Sequence, residues 1–173
     1  KIQSDPYFLI GKVKGYGFKK CDAIGKDIGI KPNDPERLAT GILYVMNNMM
    51  VSGSTCVYIN DLKDKSVEEL SIRLSQKEML EAINSKKSTY NYKYGFETYP
   101  VNTDQIKRDY IYYTSLPSGN DKTHARTVVV KITEKEINAA IASLQLSGRI
   151  VIEDDMVFVK KYYDEEFNIA YYI

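Results

Sequence analysis

Apolar positions along the chain recur at two spacings, and the change of spacing divides it. Phe18, Cys21, Ile24 and Ile28 recur at helical intervals, and Gly29 closes the run. Asp5-Pro6, ahead of Tyr7, Leu9 and Ile10, predicts a short helix with Asp5 as N-cap and Pro6 in the first turn; Gly11 stops it. Asp34-Pro35 repeats that start, and Leu38, Ile42, Val45, Met46 and Met49 predict a longer helix ending near Gly53. From Ser54 the period becomes two: Thr55, Val57 and Ile59 alternate with Cys56 and Tyr58, as in a short strand.

Ser66 with Glu69 reads as a capping box opening a helical pattern through Val67, Leu70, Leu74, Met79, Leu80 and Ile83. A polar break at Ser75-Gln76-Lys77 splits it, and Ser75 with Glu78 is placed to cap a second helix. Tyr90, Tyr92, Tyr94 and Phe96 alternate with polar residues and predict a strand with one aromatic face. Tyr110 to Tyr113 read as another strand, Pro117 to Asp121 as a turn, and Arg126 to Ile132 as a β-branched strand. Thr133 with Glu136 caps a helix carrying Ile137, Ala140, Ile141 and Leu144 and ending at Gly148. Ile150 to Ile152 and Met156 to Val159 flank an acidic turn, a hairpin signal.

These elements predict an α+β protein. Residues 1–53 form a small helix-hairpin-helix module, and residues 54–161 a winged-helix-like module with a β-rich insertion over about 62–127. Residues 162–173 form an amphipathic helix leading toward a further domain.

Val13-Lys14-Gly15-Tyr16-Gly17-Phe18 joins the first two helical patterns. Glycines there permit positive φ and let another backbone approach. The helix that follows starts with unpaired N–H groups and a partial positive charge, which suit a phosphate oxygen. Lys12, Lys14, Lys19 and Lys20 surround the turn, with no acidic residue between Gly11 and Cys21. Lys14, Gly15, Tyr16, Gly17, Phe18, Lys19 and Lys20 are therefore the candidate DNA-binding residues, the amides contacting a phosphate and Tyr16 packing on a sugar. The plainer alternative is a tight reversal with solvated lysines.

The same residues carry a family resemblance. Asp5-Pro6-Tyr7, Gly15-Tyr16-Gly17-Phe18, Cys21-Asp22-Ala23-Ile24 and Gly29-Ile30 resemble the last helix-hairpin-helix repeat of RecD-like ATP-dependent DNA helicases, the exodeoxyribonuclease V alpha-subunit family. The likeness continues through Asp34 to Arg37 and Gly41 to Val45 as far as Gly53-Ser54-Thr55. It resumes from Ser147 to Val151 and at Glu166, Ile169 and Ala170. Tyr16 stands where that family has Ile, and Cys21 where it has Ala. The resemblance implies a parent protein that uses ATP and Mg, moves 5′ to 3′ along single-stranded DNA and serves DNA repair. It also implies a motor domain of the same chain as a partner.

Composition narrows the alternatives. A net charge of +1 argues against wrapping nucleic acid by bulk electrostatics. No Gly-x-x-x-x-Gly-Lys-Ser/Thr loop occurs, so this stretch is expected to be non-catalytic and to hold no nucleotide cofactor itself. One histidine, His124, and two separated cysteines, Cys21 and Cys56, argue against a zinc site or a nucleophile–base pair. No segment has transmembrane length; two isolated cysteines fit the cytoplasm, and the absence of Met at position 1 fits a piece of a longer chain. The tyrosine row, with Lys86, Lys87 and Lys93, offers either a stacking platform for bases or, more simply, a cover for the adjoining core. The contrasting functional expectation is a protein-interaction module whose hairpin is structural and whose Tyr-rich insert binds the partner.

Overall fold

The computed structural model describes residues 5–50, 53–119 and 122–165. It is a mixture of helices and small antiparallel sheets, in two units. The first unit takes in the chain up to Gly25, Asn33–Leu70 and the residues from Ile132; the second takes in Lys26–Pro32 and Ser71–Lys131.

In the first unit a single 3-10 turn, Pro6–Leu9, precedes α1 (Phe18–Asp27, whose last turn passes into the second unit) and α2 (Pro35–Met49). Asp34 caps α2 by accepting from the amides of Glu36 and Arg37. β1 (Cys56–Tyr58) runs directly into α3 (Ile59–Leu70). After the residues of the second unit come α6 (Glu134–Leu146), β6 (Ile150–Glu153) and β7 (Met156–Val159). α2, α3 and α6 pack on one another, so α2 shares a core with segments beyond residue 53. Ile42, Val45, Met46, Leu62, Ile137, Leu144 and Ile150 fill that core. The sheet order is β1-β7-β6, with Val57 opposite Val157 and Glu153 opposite Met156. Asp154 takes φ +51° in the turn, a conformation a short polar side chain tolerates.

The second unit holds β2 (Ile72–Arg73), α4 (Gln76–Asn84), β3 (Thr89–Tyr94), β4 (Glu97–Asn102), α5 (Thr103–Ser115) and β5 (Val128–Val130). β3 pairs with β4, and β2 with β5, each antiparallel. Leu74, Met79, Ala82, Tyr92, Tyr94, Val101 and Ile106 make its core. The Ser75–Glu78 capping box opens α4 as the pattern predicts.

Two sequence expectations fail. Ser66 does not start a helix: α3 begins at Ile59, and Leu62, Ser66 and Leu70 form its buried stripe. The alternation predicted as a strand covers β1 and reaches only the first residues of that helix. The run from Tyr110 to Tyr113 is not a strand but the end of α5. Ile106, Tyr110 and Tyr113 fall at helical intervals, with Ile106 buried and both tyrosines half-buried. Asn102 caps that helix by accepting from the amides of Asp104 and Gln105. The expected helix from Tyr162 begins within a helical stretch at residues 160–165; Glu166, Ile169 and Ala170 lie outside the described residues. No described helix is long and apolar enough to cross a membrane.

α6 carries the capping box the sequence predicts: the Thr133 amide donates to Glu136 (2.8 Å) and the Glu136 amide to Thr133 Oγ1 (3.2 Å). The bond from the Thr133 amide lowers the Glu136 pKa from its ordinary value, assisted by Asn33 and the Thr133 hydroxyl and opposed by partial burial. The ionised carboxylate therefore adds stability above the unfolded-state pKa, and the gain disappears as pH falls through the folded-state value. Glu136→Gln, which keeps the capping geometry and loses the charge, should lower stability by about 0.3–1 kcal/mol at neutral pH. In thermal melts from pH 7 to pH 3 the gap between variant and parent should narrow below about pH 4.3.

Candidate nucleic-acid interface

The chain reaches the hairpin through the 3-10 turn at Pro6–Leu9. Asp5 caps it by accepting from the Tyr7 amide at 3.1 Å. The predicted first helix is thus one turn long. The amides of Lys12 and Val13 both donate to the Leu9 carbonyl, and the Tyr16 amide to Val13. Gly15 has φ +85°, where a side chain would cost about 1–2 kcal/mol. Gly17 is different. Its φ is not in the left-handed range, and a Cβ there would meet nothing within 4 Å. Only the first glycine is required by the turn's own backbone.

α1 opens at Phe18, and the Cys21 amide donates to the Gly17 carbonyl at 3.1 Å. Gly17 is therefore the N-cap, a cap without a side chain. Among the described residues nothing accepts from the amides of Phe18, Lys19 and Lys20. Gly15, Gly17, Lys19 and Lys20 are exposed and Tyr16 is half-buried.

Phe18 itself is 7% exposed and anchors the turn. Its ring lies 6.0 Å from that of Tyr7 and 5.1 Å from that of Tyr44 on α2. α2 is bare beneath it: a Cβ on Gly41 would fall 2.5 Å from Leu70 Cδ2 and 3.1 Å from Phe18 Cζ. One turn further along α1, Asp22 meets Arg37, which is 2% exposed. Arg37 Nε and Nη2 donate to the two Asp22 oxygens at 2.9 and 3.1 Å, and Nη1 to the Leu70 carbonyl at 3.1 Å. The Tyr7 hydroxyl adds a donation to Asp22 at 2.7 Å. Four segments are tied by one ion pair, whose two members the sequence offers only within the family resemblance. Nothing local marks them; they are 15 residues apart and on different helices.

The lysines divide. Lys20 Nζ sits 4.4 Å above the Tyr16 ring and Lys12 Nζ 3.3 Å from the Phe8 centroid. Lys14 and Lys19 are exposed and have no ion pair among the described residues. Asp22, the acid nearest in sequence to the helix start, is paired with Arg37. Cys21 is fully buried, and burial, reinforced by Asp22 and Asp5, raises its thiol pKa; it is core.

Residues 1–56 match the family model of the ATP-dependent RecD2 DNA helicase HHH domain. That span is similar to a RecD2 HHH domain from the Asp5 cap through the hairpin and α2 to the first residue of β1. No solved structure matches the chain significantly. The lysines and glycines of the hairpin lack phosphate-loop spacing. The tyrosine row expected as a cover is turned inward. Tyr92 and Tyr94 are buried, and Lys26 Nζ lies 5.3 and 5.2 Å from their ring centroids. His124 is exposed in a short 3-10 turn.

Asp22→Ala should cost about 3 kcal/mol in urea unfolding, since it strands the Arg37 guanidinium inside the protein. Adding Arg37→Met to that variant should recover part of the loss.

Proposed function

We propose that this chain binds DNA through its phosphate backbone, without reading sequence, and that it does so as part of a RecD-like helicase. The observation that carries the reading is the row of amides at Phe18, Lys19 and Lys20, uncapped among the described residues and preceded by the bare, exposed Gly17. Such a row donates to one phosphate oxygen and leaves the bases untouched. Lys14 and Lys19 extend toward flanking phosphates, Lys20 is held over Tyr16, and Tyr16 supplies a flat surface for a sugar. Gly15 makes the turn, Gly17 leaves room for the DNA backbone, and Phe18 holds the arrangement from below. The similarity of residues 1–56 to the RecD2 HHH domain supports the assignment. The ATP-dependent motor would then lie in the same polypeptide, at work in the cytoplasm.

The order α2, β1, α3, α6, β6, β7, with β1 on the outer side of β7, supports a winged-helix-like body for the first unit. The second unit is then an insertion between its second and third helices, and α2 serves both the hairpin and that body. Its third helix, α6, is not the DNA face in this reading. It exposes Glu134, Asn138 and Gln145, and the turn beyond it carries Glu153, Asp154 and Asp155. A protein-interaction role for the insert would need a face other than Tyr92 and Tyr94.

Fluorescence anisotropy with duplexes of unrelated sequence tests the proposal. Affinity should be similar for each, and log K should fall gently with log salt. Replacing Lys14, Lys19 and Lys20 with Ala should weaken binding equally on every sequence and flatten that slope by about one for each phosphate no longer neutralised. Gly17→Ala should cost under about 1 kcal/mol of stability, yet weaken binding on all sequences. Unchanged affinity in both variants would remove the hairpin as the site.

A further inference from the structure

The second unit holds an open cavity of about 470 Å³ between α5 and the segment leading into β5. Its lining is divided by charge. On one side Arg73 Nη1 donates to the carbonyls of His124 (2.9 Å) and Arg126 (3.1 Å), and Arg126 Nη1 to that of Leu74 (3.1 Å). Backbone carbonyls thus hold both guanidinium groups in place, and no carboxylate among the described residues pairs with Arg126. On the other side, α5 contributes Asp109, which accepts from Gln105 Nε2 at 2.7 Å. Tyr112, one turn further on, is 56% exposed and also lines the cavity.

Thr127 adds an observation of another kind. It lines the same cavity, is 3% exposed, and its Oγ1 has no hydrogen-bond partner among the described residues. Its carbonyl is taken by the Leu74 amide at 2.9 Å, which fixes its position. Oγ1 itself has under 1 Å² of accessible surface, so Thr127 forms part of the cavity wall and offers no open group to a ligand.

We propose that this cavity binds one nucleotide unit, with its phosphate against Arg126 and Arg73 and its base against Tyr112 and Asp109. The cationic side suits a phosphate, a carboxylate suits the N–H donors of a base edge, and an exposed ring offers a stacking surface. The volume lies in the range of small-ligand sites. A bare inorganic anion would use only one side, and an acidic peptide would meet Asp109. The unit belongs either to an unpaired strand or to a free nucleotide, which share this chemistry. The inference is independent of the hairpin.

The test uses the full chain carrying Lys14→Ala, Lys19→Ala and Lys20→Ala, so that binding at the hairpin does not mask the cavity. In that background, fluorescein-labelled (dT)12 should bind, and Tyr112→Ala should weaken it about tenfold. Arg126→Met removes the cation set against the phosphate, so affinity for (dT)12 should fall severalfold. Thymidine 5′-monophosphate competing at a comparable nucleotide concentration would assign the site to free nucleotides; competition only at far higher concentration would assign it to a strand. Both support the proposal. It is overturned if (dT)12 and thymidine 5′-monophosphate both fail to bind, if both variants bind like the parent, or if inorganic phosphate competes as well as the nucleotide.

Discussion

Burial of the Arg37 guanidinium constrains everything around the hairpin. A cation taken out of water must be matched by an anion and by further acceptors, or the fold loses several kcal/mol. Here the match is bidentate with Asp22 and completed by the Leu70 carbonyl. Because Asp22 sits on α1, Arg37 on α2 and Leu70 at the end of α3, satisfying this one group fixes where those three helices meet. The Tyr7 hydroxyl bonds the same carboxylate and brings in the first turn. Phe18, packed between Tyr7 and Tyr44 one turn before Asp22, then has a single seat.

The outward chemistry follows from that inward one. Once Phe18 is seated and Asp22 held, the start of α1 is fixed while its first amides have no acceptor among the described residues. Pairing Asp22 inside the protein also removes the acid nearest those amides. What remains on the surface is backbone donors and lysines, a combination that discriminates between charges but not between bases. Gly17 completes it by omission. A Ser or Asp cap would have accepted from one of those amides internally, whereas glycine has no side chain to do so.

Much of this was legible because its causes are local. The caps at Asp5, Asp34, Ser75 and Thr133 announce their helices within four residues, and the acidic turn between β6 and β7 is equally compact. Signals that depend on distant residues were not. Ser66 and Glu69 carry a valid capping pattern, but α3 had already begun seven residues earlier, directly after the strand β1. The tyrosines of α5 look β-prone one by one and are helical because Ile106, Tyr110 and Tyr113 share a face over the second core. The Asp22–Arg37 pair and the cavity around Thr127 are assembled from positions far apart in sequence, and no periodicity encodes such meetings.

The hairpin assignment rests on one physical idea, that polar groups left without an internal partner mark where another molecule belongs. For the hairpin, titration of the isotopically labelled chain with short duplexes, followed by amide NMR, puts that idea to the most direct test. The amides of Phe18, Lys19 and Lys20 should show the largest shifts, of similar size for duplexes of unrelated sequence and diminishing as salt rises. Shifts that leave residues 15–20 unmoved while others respond would contradict the account.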